Sequence, residues 1–181
     1  MTRLILTCLL IGSFATVFAQ QTSPSEKSQG RIQEEVRHQI VMLPYLDVFD
    51  NIAYKVDGNA VTLLGQVTRP TLKKDAENAV KRIEGVERVD NQIEVLPVSP
   101  NDDRLRLNLF RAIYGYGPLQ KYALPVIKPI RIIVKSGHAT LEGVVDSEAD
   151  KNMVKIRANG VHGVFSVTNN LTVTPKSTEK G

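Results

Sequence analysis

The feature that most constrains the fold of this chain is an internal duplication. Shifting the sequence by 78 positions aligns residues 52–95 with residues 130–173 without a gap, and 12 of the 44 pairs are identical. Upstream, the match continues at a shift of 73, so the second copy carries five extra residues before its first strand. Glycines, valines and asparagines recur at matching positions. This indicates two copies of one small module.

Each copy shows the pattern of the same five elements. In the first copy, Ile32, Val36 and Ile40 recur at helical spacing, and two alternating apolar stretches then flank the turn residues 57–59. A second amphipathic helix and a final alternating strand follow in both copies. The sequence therefore predicts an α+β fold of two tandem αββαβ modules, each with helices packed on one face of a three-stranded sheet.

The duplication and the changes in composition divide the chain into six segments. We predict a signal peptide (1–19), a disordered linker (20–30), module 1 (31–96), a linker (97–102), module 2 (103–174) and a tail (175–181). Asp102 and Asp103 are expected to cap the first helix of module 2.

The N-terminus has the pattern of a secretory signal. Arg3 precedes an apolar run at residues 4–18, and Val17 and Ala19 occupy the −3 and −1 positions of a cleavage site after Ala19. We therefore expect a cleaved signal, with a retained N-terminal anchor as the alternative, and in either case a periplasmic or otherwise exported protein. Cleavage removes Cys8, the single cysteine, which excludes disulfides, thiolate metal sites and cysteine nucleophiles from the mature chain.

Two strings that occur in both copies carry a family resemblance. The first is V-x-L-x-G-x-V at residues 61–67, and the second is G-V-x-x-V-x-N-x-(I/L)-x-V at residues 85–95 and 163–173. In the second copy, residues 139–145 match the first string except that Ala139 replaces its first valine. The pattern resembles the BON domain, a module of bacterial envelope and periplasmic proteins. The resemblance implies a non-catalytic protein that binds phospholipid surfaces and serves envelope maintenance or osmotic-stress protection.

Six residues of these strings are interpreted as structural. They are Gly65, Gly85, Asn91, Gly143, Gly163 and Asn169. Gly85 and Gly163 are expected to end the second helix of the first and second copy, respectively. The two asparagines lie on the apolar face of the last strand, so each amide is expected to bond a backbone group at a bend or bulge.

No pattern for catalysis or metal binding is found. His38, His138 and His162 neither repeat between the copies nor cluster at ligand spacing. Nucleophile elbows, phosphate loops and paired-carboxylate motifs are likewise missing from the sequence. We therefore predict no enzyme activity, catalytic residue, metal or cofactor.

The two copies differ most in charge. Residues 104–141 contain seven basic and no acidic residues, whereas residues 31–64 contain three basic and five acidic ones. Basic residues on the first helix of module 2, followed by tyrosines and a lysine in the insertion, suit a lipid headgroup interface. The predicted lipid-binding residues are Arg104, Arg106, Arg111, Tyr114, Tyr116, Lys121 and Tyr122. The alternative is a solvated basic face with tyrosines packed beneath a loop.

The functional hypothesis is peripheral attachment to anionic phospholipid through this basic helix and Tyr/Lys loop. The alternative is a protein-interaction or structural module that engages an outer-membrane, secretion or cell-wall partner. Nucleic acid is not expected as a partner, because the chain is predicted to be exported and lacks an aromatic-rich sheet motif. The sequence leaves open the oligomeric state and the packing of one module against the other.

Overall fold

The computed structural model describes residues 24–174, and it describes side chains from residue 28 onward. Module 1 consists of α1 (Pro24–Val41), β1 (Asn51–Asp57), β2 (Ala60–Val67), α2 (Pro70–Lys81), β3 (Arg88–Asn91) and β4 (Glu94–Val95). Module 2 consists of α3 (Pro100–Tyr114), a 3₁₀ helix (Gly117–Ala123), β5 (Ile130–Lys135), β6 (His138–Val145), α4 (Glu148–Asn159), β7 (Ser166–Asn169) and β8 (Thr172–Val173). The predicted signal peptide and the predicted tail lie outside the described residues.

The two sheets have the same topology. In each, the first two strands form an antiparallel hairpin, and the last strand returns parallel to the second strand, which is therefore central. The predicted last strand is divided into two short pieces, both paired with the central strand. It divides because the Asn91 side chain accepts a hydrogen bond from the Ile93 amide at 3.2 Å and bends the chain there. The predicted α+β class and element order are confirmed.

The core of each module lies between its helices and one face of its sheet. The predicted apolar stripes of α1 and α3 are buried, as are the inward-facing residues of the central strands and second helices. The largest fully buried side chains of module 1 are Ile32, Leu63, Leu72 and Ile93, and those of module 2 include Leu109, Ile113, Ile132, Leu141 and Leu171. Burial of apolar area at these positions is the main favourable term for folding.

Several predicted boundaries are wrong by one or two turns. Helix α1 begins at Pro24, so residues 24–30 are helical rather than a disordered linker. The reason is that this polar segment contains good helix formers behind a proline at the first turn. Helices α2 and α4 end before the glycines predicted to end them, and Gly85 and Gly163 lie in the following turns with φ of +92° and +91°.

The predicted capping by Asp102 is also wrong. Helix α3 starts at Pro100, within the predicted linker, and the side chain of Ser99 caps it by accepting from the Asp102 amide. The carboxylate of Asp102 is buried and accepts hydrogen bonds from the amides of Ser136 and Gly137, each at 2.9 Å. Asp102 therefore fixes the β5–β6 turn to α3, because a buried carboxylate needs donors of this kind.

The two modules pack against each other through the segment between α1 and β1. Val48 lies in the hydrophobic core of module 2, and its carbonyl accepts a hydrogen bond from the Ile132 amide at 2.9 Å. The rings of Phe49 and Phe110 lie in a T-shaped arrangement, with a centroid distance of 6.4 Å. Because β5 is an edge strand, module 1 covers part of an edge that would otherwise be open.

Among the described residues, no helix is both long enough and apolar enough to span a membrane.

Replacing Gly143 with alanine is expected to destabilise the protein by at least about 2 kcal/mol. Gly143 has φ +121°, and an added Cβ would lie 1.9 Å from the carbonyl oxygen of Pro129. The control is Gly30→Ala, an exposed position in α1 with nothing within 4 Å of the added atom. This change should be neutral or stabilising by up to about 1 kcal/mol. Urea unfolding measures both, and equal stabilities of the two variants would contradict the close approach.

Candidate functional site

Helix α3 buries two of the residues that the sequence places on its lipid-binding surface. Arg106 is only 4% exposed: its Nη2 donates to the carbonyl of Val134 at 2.7 Å, and its Nη1 pairs with Asp103. Tyr114 is buried, and its hydroxyl donates to the carbonyl of Ile130 at 2.6 Å. Burial raises the pKa of Tyr114. These two side chains fasten α3 to β5, so neither can reach a membrane surface in this fold.

The inserted loop is held to module 2 in the same way. Tyr122 is buried, donates to Asp150 at 2.8 Å and accepts from the Asp146 amide at 2.8 Å. Lys121 forms ion pairs with Asp146 at 2.8 Å and Asp150 at 2.9 Å, and these hydrogen bonds raise its pKa. Both residues therefore join the 3₁₀ helix to the start of α4. The prediction that Tyr122 binds lipid is therefore wrong. The alternative interpretation, in which the tyrosine packs beneath a loop, describes its position.

Four of the predicted lipid-binding residues remain accessible, among them Lys121, whose side chain is 47% exposed within its ion pairs. Arg104 and Arg111 are exposed on the outer face of α3. Tyr116 is half-buried, with the guanidinium of Arg157 4.7 Å above its ring. Arg157, which the sequence analysis did not identify, also donates to the carbonyl of Ala112 at 3.1 Å.

The loop between the 3₁₀ helix and β5 exposes apolar side chains that the sequence analysis missed. Leu124 is 83% exposed, Val126 97% and Ile127 45%. We call residues 124–127 the apolar loop. The ammonium of Lys128 follows it and donates to the carbonyl of Pro125 at 2.6 Å. The sequence contains a signal for this exposed loop. Pro125 and Pro129 flank the apolar residues, and prolines are excluded from the interior of a helix or a central strand.

A cleft of about 380 Å³ lies between the two modules, and we call it the intermodule cleft. Its apolar lining residues are Val41, Leu46, Val48, Phe110, Val126 and Ile127. Its charged lining residues are Asp47, Lys128 and Arg131. Nη1 of Arg131 donates to the backbone carbonyl of Asp47 at 2.9 Å, and burial lowers the pKa of this guanidinium. The cleft thus combines apolar walls from both modules with two cations from module 2.

The motif asparagines bond the backbone as the sequence predicts. The side-chain amide of Asn91 donates to the carbonyl of Lys73 at 2.8 Å, and that of Asn169 donates to the carbonyl of Lys151 at 2.9 Å. Asn91 also donates to Glu77 at 3.1 Å. Together with a hydrogen bond from Lys81, which is the larger effect, this lowers the pKa of Glu77. Each asparagine therefore ties the last strand to the second helix.

The described part of the chain holds no group of three metal-ligating side chains. Nδ1 of His138 lies 2.7 Å from the hydroxyl of Ser166, but both residues are exposed. The imidazole ring lies tilted beside the ring of Phe165, with 5.8 Å between the centroids. No acidic group orients this histidine within residues 24–174, so the pair lacks the third member of a catalytic triad.

Replacing Asp150 with asparagine is expected to destabilise the protein by about 1–3 kcal/mol, because the Tyr122 hydroxyl and Lys121 lose a charged partner. Burial opposes ionisation of Asp150, but hydrogen bonds from Lys121, Tyr122 and Ser147 outweigh it and lower its pKa below the ordinary 3.8. The carboxylate therefore stabilises the fold above pH 4 or so, and this contribution is lost as pH falls through the folded-state pKa.

Thermal unfolding at pH 7 and pH 3 measures both effects. The melting temperature of Asp150→Asn should lie below that of the wild type by a larger amount at pH 7 than at pH 3. Asp146→Asn is the matched control, because it removes only an exposed ion pair and should cost less than about 1 kcal/mol. A pH-independent difference between wild type and Asp150→Asn would show that the charge of Asp150 does not matter.

The chain was compared with solved structures, curated proteins and family models. Two solved structures align over most of the chain, each at 12% identity and a TM-score of 0.33. One is CdsD, a structural protein of the type III secretion system of Chlamydia trachomatis, with 80% of this chain and 93% of that chain covered. The other is the C-terminal domain of CdsD, with 78% and 96% covered. No curated protein matches the sequence. The BON domain model matches residues 28–97 and 119–175, and the chain therefore belongs to the BON domain family.

Proposed function

We propose that this chain is a non-catalytic envelope-binding protein that attaches peripherally to anionic phospholipid surfaces through module 2. BON domains are binding modules without a catalytic role, which supports a binding function. The observation that carries the proposal is the apolar loop, which holds Leu124 and Val126 almost fully in water directly before Lys128. Export of the chain and a role in envelope maintenance or stress protection are part of the same proposal.

The apolar loop suits the boundary of a bilayer. Fully burying a leucine or valine side chain contributes about 1.5–3 kcal/mol, so exposed apolar side chains favour transfer into an apolar phase. Prolines at 125 and 129 give the loop a restricted backbone, which reduces the entropy lost on binding. Lys128 lies beside the apolar side chains, where its aliphatic stem can follow them while the ammonium meets a phosphate.

The outer face of α3 adds positive charge to the same module. Phe110 of α3 lines the intermodule cleft. Moving around the helix from Phe110, at 100° per residue, one meets Leu107, then Arg111 and then Arg104. Leu107 is itself half-exposed. Each basic residue near an anionic bilayer contributes about 1 kcal/mol, so Arg104, Arg111 and Lys128 together give about 3 kcal/mol. The resulting attachment is weak and sensitive to salt.

Vesicle co-sedimentation tests the charge contribution. The mature chain expected from the predicted signal, residues 20–181, should bind phosphatidylglycerol-containing vesicles more strongly than phosphatidylcholine vesicles. Arg111→Glu should weaken this binding by about tenfold or more, because it removes an attraction and adds a repulsion. Lys155→Glu reverses an exposed charge on α4 and is the matched control, with a smaller effect expected.

The same assay tests the apolar contribution. The double variant Leu124→Ser, Val126→Ser should lose most vesicle binding, while Ile156→Ser, which changes a 62% exposed apolar residue on α4, should not. Equal binding to both vesicle types, or equal loss in test and control variants, would contradict the proposal. Salt-independent retention of an envelope protein by a chain that ignores vesicles would instead favour the protein-interaction function.

A further inference from the structure

We propose that the intermodule cleft binds one anionic single-chain amphiphile, an acyl chain with a carboxylate or phosphate head, as an individual molecule. The inference rests on the proposed function in that both concern lipid chemistry, but it assigns a second site. The first is a surface that contacts a bilayer, whereas the cleft would enclose a single chain between the modules.

The walls of the cleft suit an alkyl chain. Module 1 contributes Val41, Leu46 and Val48, and module 2 contributes Phe110, Val126 and Ile127. A volume of about 380 Å³ falls within the range of about 300–1,000 Å³ that is typical of small-molecule sites. The site is therefore large enough for one chain and has apolar side chains on both sides of it.

One wall is fixed by aromatic packing. The ring of Phe110 lies 4.9 Å from that of Tyr114 and 6.4 Å from that of Phe49, measured between centroids. Tyr114 is itself held by its hydrogen bonds to Ile130, and Phe49 belongs to the docked segment of module 1. A wall that is already ordered reduces the entropy lost when a ligand binds.

The cations of the cleft define the head group. Lys128 has no carboxylate partner among the described residues and donates only to the carbonyl of Pro125. Arg131 uses one of its five N–H donors on the Asp47 carbonyl, which leaves others available. The carboxylates of Asp47 and Asp50 both act on the guanidinium of Arg131, so Lys128 is the cation of the cleft that lacks an acidic partner among the described residues. An anionic head therefore complements the cleft, and a cationic head does not.

A smaller space with a mixed lining adjoins the cleft. It measures about 120 Å³ and shares Val41, Leu46 and Arg131 with the cleft. Ile40 and Ile52 add apolar surface to it, and the remaining lining residues are Arg37, Asp50, Asn51 and Tyr54. Val126, which lines the cleft, also belongs to the exposed apolar loop, so a chain leaving a bilayer at this loop would meet the mouth of the cleft directly.

Titration calorimetry with monomeric probes and no vesicles tests the inference. Dodecanoate, kept below its micellar concentration, should bind residues 20–181 in a 1:1 ratio. Dodecyltrimethylammonium, which has the same chain and the opposite charge, and butyrate, which has the same head and a short chain, should each bind at least about tenfold more weakly.

Paired variants then locate the site. Ile127→Ser and Lys128→Gln should each weaken dodecanoate binding by about tenfold, because each removes part of a wall or a head-group partner. Ile156→Ser and Lys155→Gln are matched changes on α4, outside the cleft, and should leave the affinity unchanged. All four positions are on the surface or half-exposed, so the variants are expected to fold.

The outcomes separate the two sites. The cleft assignment fails if dodecanoate shows no saturable 1:1 binding, if the cationic probe binds as well, or if the control variants lose as much affinity as the test variants. A chain that binds dodecanoate but ignores anionic vesicles overturns the membrane attachment and supports the cleft. A chain that binds anionic vesicles but not dodecanoate overturns the cleft assignment and supports the membrane attachment.

Discussion

The arrangement of the whole molecule depends on how Val48 docks into module 2. By sequence this residue belongs to module 1, yet its side chain completes the core of module 2 and its carbonyl satisfies the Ile132 amide at the edge of β5. The docking segment is itself held in module 1, because the buried carboxylate of Asp50 accepts hydrogen bonds from the amide and hydroxyl of Thr68. The same residue thus buries an apolar side chain and pairs a backbone amide at the strand edge, and both effects favour one relative position of the modules. The intermodule cleft exists only because this contact places residues 41–48 opposite module 2.

The acid-free stretch of module 2 serves two separate purposes. Arg106 and Lys121 are used internally, one against a β5 carbonyl and the other against carboxylates of α4. Both charges are paired with carboxylates, and for Arg106, which is buried, leaving the cation unpaired would be costly. Arg104, Arg111 and Lys128 have no carboxylate partner among the described residues and remain available for an anionic surface or ligand. The excess of basic residues is therefore partly structural, and only burial and pairing distinguish the structural cations from those left without an acidic partner.

Much of the fold could be predicted because its determinants are local. Helical spacing of apolar residues located the buried stripes of α1 and α3, and alternation around residues 57–59 located the first hairpin. The asparagine roles also followed from a local argument, since an amide on an apolar face must find a partner. The candidate surface was predicted less well. Tyrosine suits both a lipid interface and a core with one hydrogen bond, and sequence spacing does not distinguish these environments for Tyr114 and Tyr122.

The sequence by itself determined the duplication, the element order and the apolar stripes that form most of the two cores, because periodicity and glycine placement act over a few residues. The tertiary structure alone decided which polar groups of module 2 reach solvent. The partners that remove Arg106 and Tyr122 from the surface, Val134 and Asp150, each lie 28 residues away along the chain. It also decided that the apolar loop stays exposed and that the two modules enclose a cleft. These outcomes depend on which distant segments pack together, and the hydrophobic driving force is non-directional, so apolar pattern alone does not specify them.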